Sequence, residues 1–251
     1  MANTRGREPR EGRVAMITGS GRNIGRAIAL DLAAGGMDVV VVVRSGREEA
    51  EGVAEEVRSL GRRALVGVAD VRDEEAVGRV VGEAREALGP VTVLVNNAAV
   101  RRDKPFLDLS PEEWREVVGT ILDGAFTCSR AVLPGMLEAG WGRIVNIAGL
   151  TAHTGAAHRA HVVAGKAGLV GLTRALALEY AASNITVNAI SPGMIETVRK
   201  DAEPEHHGER KIPVGRRGTP EEVAAMVRYL VSGEAAFVTG QTLNINGGLY
   251  L

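Results

Sequence analysis

The first group of residues able to do chemistry is the run Thr18-Gly19-Ser20-Gly21-Arg22-Asn23-Ile24-Gly25, which follows an apolar segment and opens into one of helical period. Glycines at such a turn let the main chain approach a pyrophosphate, and the N-terminus of the following helix offers N–H groups and a partial positive charge. A Gly-rich run alone is only a tight turn; the strand before it and the helix after it give it meaning. The second group is His153, His158 and His161, all within nine residues. Imidazole titrates near neutral pH, so a histidine brought to a cleft can act as acid or base. His206 and His207 stand in the polar stretch 196–217, which lacks clear period. We read a substrate loop at about 194–217, placed by that composition. No Cys, His or carboxylate spacing completes a ligand pattern, so no metal is expected.

The elements that must position these groups are legible as alternation. Apolar runs of strand length recur near 13–18, 38–43, 64–69, 92–96, 143–148, 186–191 and 242–245, separated by segments of helical period. Such alternation predicts βαβ units and one parallel sheet, and nearly all-apolar strands are those covered on both faces. Ser110-Pro111-Glu112-Glu113 and Thr219-Pro220-Glu221-Glu222 read as helix starts, with a capping side chain and Pro in the first turn. The expectation is an α/β fold: a single domain at 13–251 with a doubly wound parallel sheet of seven strands, helices on both faces, and a flexible tail at 1–12. The chain has 251 residues and a net charge of −1, with 30 basic residues against 31 acidic ones. That balance argues against nucleic acid or an anionic membrane as partner. The longest aliphatic run, Val39–Val43, is far short of a membrane span. One cysteine, Cys128, forms no internal disulfide and fits a reducing cytoplasm.

From Arg13 to its end the chain resembles the short-chain dehydrogenase/reductase family, a Rossmann-type fold. Thr18–Gly25 resembles TGxxxGxG, with Asn23 in place of the middle glycine; Asn tolerates a left-handed backbone better than most residues. Asn96-Asn97-Ala98-Ala99 resembles NNAG, and Ala69-Asp70-Val71 matches the acidic residue after the third strand. Pro192-Gly193 with Thr197 resembles PGxxxT, and Gly240-Gln241 through Asn246-Gly247-Gly248 resembles the C-terminal strand and turn. The resemblance implies a cofactor held by Gly19, Gly21, Arg22, Asn23, Ile24, Gly25, Asp70, Val71, Asn97, Ala98, Lys166, Pro192, Gly193, Ile195 and Thr197. Where NAD-preferring members carry Asp stands Val43, followed by Arg44 and Ser45, with Arg22 a second cation. Arginine favours a 2′-phosphate, so NADP(H) is expected over NAD(H). A small-molecule substrate and a homo-oligomer, dimer or tetramer, are also implied, the apolar faces of 125–132 and 169–177 being compatible with either an interface or the sheet.

The catalytic positions depart from the family's pattern. Its YxxxK pair sets a tyrosine acid one helical turn before a lysine that lowers the phenol pKa and binds ribose. Lys166 is present, but Val162 stands four residues earlier; the serine position falls on Gly149 and the asparagine position on Ile121. Of the three tyrosines, Tyr180 and Tyr229 lie on helices downstream, and Tyr250 matters only if a tail reaches a neighbouring subunit. Thr151 and the histidines remain, with His161 or His158 as substitute acids; one residue along a helix turns a side chain by about 100°, so His161, beside the tyrosine position, points away from it. Three readings follow: an oxidoreductase with a non-standard acid acting on a carbonyl or imine-like substrate, a silent cofactor-binding subunit partnering an active relative, and a non-redox isomerase or lyase. The histidine-bearing loop and polar substrate loop favour the first.

Overall fold

Strands covered on both faces are apolar unless a buried charge is paired: β2 (Asp38–Val43) is buried at every position, five valines behind an Asp38 held by Arg63 at 2.6 Å and Arg62 at 3.2 Å. In the computed structural model, residues 12–198 and 211–251 are described. Residues 1–11 of the expected tail 1–12, residues 199–210 of the expected substrate loop, and with them His206 and His207, lie outside the described residues. Seven parallel strands form one sheet: β1 (Val14–Thr18), β2, β3 (Ala64–Val68), β4 (Val91–Asn96), β5 (Gly142–Ile147), β6 (Ile185–Pro192) and β7 (Thr242–Ile245). Their order is β3-β2-β1-β4-β5-β6-β7, so chain direction along the sheet reverses between β1 and β4. In such sheets ligands bind beyond the carboxyl ends of the strands at that reversal. The expected strands are all present, with no bound off by more than one residue.

Alternate side chains of β1 and β2 feed two cores. Ala15, Ile17, Val39 and Val41 pack with α1 (Asn23–Ala34), α2 (Arg47–Ser59) and α8 (Pro220–Leu230). Val14, Met16, Val40 and Val42 pack on the other face with α3 (Glu74–Ala87), α5 (Gly124–Glu138) and the far end of α7 (Ala160–Tyr180). Fully burying an Ile or Leu is worth about 1.5–3 kcal/mol, so Ile17, Ile28 and Leu32 alone anchor α1 to the sheet. The apolar faces of 125–132 and 169–177 are used internally: Cys128, Val132 and Ala177 pack on the sheet, leaving Phe126 and Leu178 outward.

Both expected caps form complete capping boxes. Ser110 Oγ accepts from Glu113 N, and the Glu113 carboxylate accepts from Ser110 N; Thr219 and Glu222 repeat the pattern. Between α4 (Pro111–Val118) and α5 the helix widens into a π turn, Gly119–Asp123. Short α6 (Thr151–Thr154) is separated from α7 by a loop with left-handed Gly155 and His158.

Candidate active site

The turn after β1 is shaped by contacts that leave no room for side chains. A Cβ on Gly25 would lie 2.3 Å from the Gly19 carbonyl oxygen and 2.7 Å from Ser20 Cα. Gly19 has φ +65° and stands against Ala98 Cα, at 3.2 Å from its own would-be Cβ. Asn97 braces the turn from β4: its Nδ2 donates to the Thr18 carbonyl at 2.9 Å and the Gly19 carbonyl at 3.0 Å. Thr18 Oγ1 in return accepts from the N–H groups of Asn97 and Ala98, each at 3.0 Å. Asn23 takes the left-handed backbone expected of it, φ +50°. Its side chain does what glycine cannot, donating to the Val198 carbonyl at 3.0 Å and accepting from Val198 N at 2.9 Å. Arg22, the N-cap of α1, makes no side-chain cap, so no side chain of its own blocks the first N–H groups of a helix whose Ile24 faces the cleft. An uncapped helix start behind a Gly-turn fits a pyrophosphate.

At the neighbouring strand ends, Val43 fills the space under Gly21, whose Cβ would come within 3.2 Å of Val43 Cγ1. Val43 itself brings no carboxylate; that of Glu49, in the first turn of α2, has its Oε2 3.5 Å from where a Cβ on Gly46 would stand. Arg44 and Ser45 are exposed beyond Val43, Arg44 within 3.5 Å of Glu116, and Arg22 is exposed on the turn. Asp70 is held by Arg72, Nε and Nη2 donating at 3.0 and 2.6 Å, and this pair together with nearby Arg44 keeps its carboxyl below the usual range. Val71 is buried beneath it.

The cleft lies where the carboxyl ends of β5 and β6 meet α7. Lys166, Ile147, Pro192, Gly193, Ile195 and Thr197 line one part of it; Gly149, Leu150, Thr151, Val162, Arg159 and Arg101 line the rest. Lys166 is 5% exposed and its Nζ donates to the Ile147 carbonyl. Burial and the nearby Arg101 charge bring its ammonium down to about 7. Val162 is one turn earlier on the same face, as a spacing of four requires. Together with Ile121 it belongs to a dry cluster with Val117, Ala125 and Leu169, and Ile121 presses against Gly165. Gly149 stands beside open space, with nothing within 4 Å of an added Cβ.

The histidines are not gathered in this lining. His161 is completely buried; both ring nitrogens lack hydrogen-bond partners, and burial, followed by the Arg159 charge, lowers its pKa against the opposing pull of Glu113 and Asp103. His158 is exposed, and its carbonyl accepts from Lys104 N at 2.7 Å. His153 stacks on Tyr250, ring centroids 5.2 Å apart. Tyr250 therefore reaches the α6 segment of its own chain. Sequence reasoning passed over Arg101 and Arg159; the signal was available for Arg101, two residues beyond Asn-Asn-Ala-Ala at the reversal of strand order. It also passed over a buried relay behind the site, in which Asn96 Nδ2 donates to Asn146 Oδ1 at 2.8 Å and Asn146 Nδ2 to Thr173 Oγ1 at 2.9 Å. That relay ties β4, β5 and α7 into one rigid wall. Among the described residues, no three His, Cys, Asp or Glu side chains cluster as a metal would need, and no helix is long and apolar enough to cross a membrane.

A seven-stranded doubly wound sheet, a braced Gly-turn at the switch point and a buried lysine on the adjoining helix define a dinucleotide-binding class of α/β protein. Residues 19–250 match the family described as enoyl-(acyl carrier protein) reductase, and the chain belongs to the short-chain dehydrogenase/reductase family. A 3-oxoacyl-(acyl carrier protein) reductase of Pseudomonas aeruginosa is 41% identical over 244 residues, 96% of this chain and 98% of that one. An acetoacetyl-CoA reductase of Rhizobium meliloti is 43% identical over 242 residues, covering 95% and 98%. A solved structure from Sinorhizobium meliloti 1021, described as a short-chain alcohol dehydrogenase, superposes with a TM-score of 0.91 at 39% identity, covering 95% of this chain and 96% of that one. These relatives are oxidoreductases by name, and the family implies a nicotinamide cofactor.

Proposed function

We propose that the protein is an NADP(H)-dependent oxidoreductase moving a hydride to or from a small carbonyl or imine-like substrate, with Lys166 rather than a tyrosine handling the proton. The observation that carries this reading is the cleft itself, where Lys166 lies between the Gly193–Thr197 segment and Gly149. The cofactor fits the uncapped start of α1 and the turn braced by Asn97; Gly19, Gly21, Asn23, Ile24 and Gly25 would cradle its phosphates, with Ala98 close behind. Asp70 and Val71 would face the adenine, Pro192, Gly193, Ile195 and Thr197 the nicotinamide end. Arg22, Arg44 and Ser45 would receive a 2′-phosphate, since Val43 offers no carboxylate to repel one. When bound, the cofactor supplies or accepts the hydride.

The chain's own residues must then manage charge. A carbonyl carbon that accepts a hydride leaves an oxyanion, which needs a proton or a fixed cation. Lys166 carries three N–H donors, so it can keep its bond to Ile147 and still serve ribose and substrate oxygen. With its ammonium near 7, it releases a proton far more readily than an ordinary lysine. Buried neutral His161 and outward His158, the acids expected from sequence, stand outside the lining and are the weaker candidates. An imine-like substrate, already protonated, asks even less of the site.

One observation favours a second reading. Ile121 and Val162 close the wall beside Lys166 with apolar side chains, which suits a silent cofactor-binding subunit working beside an active relative. NADPH consumption across ketones and imines, in the protein and in Lys166→Met, separates the two: turnover abolished by the substitution supports the enzyme, and none on any substrate despite cofactor binding supports the silent subunit. In either reading outward Phe126 and Leu178 offer apolar contacts to a homo-oligomeric dimer or tetramer, and Cys128, buried with its thiol pushed up to about 12, is inert in the cytoplasm.

A further inference from the structure

We propose that the substrate is a short oxo acid whose free carboxylate is received by Arg159 and Arg101. This rests on the oxidoreductase reading and names the substrate for that same cleft. The lining contains three cations, Arg101, Arg159 and Lys166, and no carboxylate. Arg159 is the informative one: a guanidinium only 7% exposed, held by Asp103 through Nε at 2.7 Å, yet facing the cleft. Burying an arginine beside a reaction site is costly, and its planar fork matches a carboxylate better than any other common group.

Spacing fixes where that carboxylate would lie. Arg159 is the last loop residue before α7, and Val162 and Lys166, four residues apart, share one face of the first turns that follow it. At about 1.5 Å rise per residue, Val162 stands about 6 Å along the axis before Lys166, and Arg159, at the mouth of the helix, lies beyond Val162. A carbonyl at the Val162–Lys166 level therefore leaves room for a carboxylate only a few carbons away. Arg101 approaches from the opposite wall, close enough for its charge to act on Lys166. In the forward direction the carbonyl carbon gains a hydride, the C=O electron pair moves to oxygen, and that oxygen takes a proton from the Lys166 ammonium; the nicotinamide ends oxidised and Lys166 neutral, to be reprotonated from solvent. The carboxylate stays unchanged throughout.

The test is calorimetric titration of the full chain, saturated with NADP+, by acetoacetate and by its ethyl ester. The acid should bind at least tenfold tighter than the ester. Arg159→Gln and Arg101→Gln should each weaken the acid by about tenfold while leaving the ester and NADP+ within twofold. If Arg159→Gln loses its fold with the Asp103 pair, Arg101→Gln, at an exposed position, decides alone. Equal binding of acid and ester, or an acid preference that survives Arg101→Gln, overturns the substrate inference and leaves the oxidoreductase reading standing. Failure to bind NADP+ at all overturns both.

Discussion

Lys166 provides the sharpest quantitative consequence, because its low proton affinity can be read without any substrate. An unfolded chain holds this lysine at the ordinary 10.5, whereas burial in the folded protein brings it to about 7. Between those values the unfolded state binds the proton and the native state does not, so stability rises with pH across that window and is flat below and above it. Each pH unit inside the window is worth about 1.4 kcal/mol, giving about 2 kcal/mol between about pH 7.5 and about pH 9. Lys166→Met keeps the volume, removes the titration, and loses the bond to the Ile147 carbonyl by an amount that does not vary with pH. The difference in stability between the protein and this variant should therefore move by about 2 kcal/mol in favour of the lysine over that interval. For a domain of this size that is about 4–8 °C in the difference of melting temperatures. Urea or thermal melts of both proteins, without cofactor, measure it directly. A difference that stays constant with pH would show that Lys166 titrates as an ordinary lysine and would remove it as a neutral-pH proton donor.

Other consequences follow from the same geometry. Gly25→Ala puts a Cβ 2.3 Å from the Gly19 oxygen, so it should cost about 1–3 kcal/mol in melts and abolish cofactor binding, while Gly149→Ala, in open space, should change stability by less than about 0.5 kcal/mol. Arg44→Asp should weaken NADPH about tenfold in a fluorescence titration and leave NADH nearly unchanged, a modest effect because Arg44 is half exposed and shared with Glu116. Gly149→Ser combined with Val162→Tyr returns a hydroxyl pair beside Lys166; ordinary ketone reduction, assayed by NADPH absorbance, should rise at least tenfold over the parent.

The fold was almost wholly legible because its signals are local and repeated. Asp38–Val43 and Thr242–Ile245 are bounded in the structure as their apolar runs predict, and Ser110 and Thr219 cap the helices they precede. The π turn at Gly119–Asp123 had no such signal, since widening a helix by one residue is settled by the packing of Ile121 on α7 rather than by composition. The Gly-turn and the strand ends beside it were legible for the same reason as the fold: they are main-chain approaches and short turns. The side chains that line the cleft were not. His161 and Val162 are adjacent in sequence but differ by about 100° around α7, enough to send one into the protein and the other to the cleft. Arg101 and Arg159 lie on loops whose side-chain directions depend on Asp103 and on the tertiary approach of β4 to α7.

The proposed function requires this cleft to hold a phosphorylated nicotinamide cofactor beside Lys166. Parallel titration of the purified protein with NADPH and NADH tests it most directly. Micromolar binding of NADPH, at least tenfold tighter than NADH, is the predicted result. Binding of neither dinucleotide would contradict the account, leaving the braced turn at Gly19–Gly25 as a structural element without a ligand.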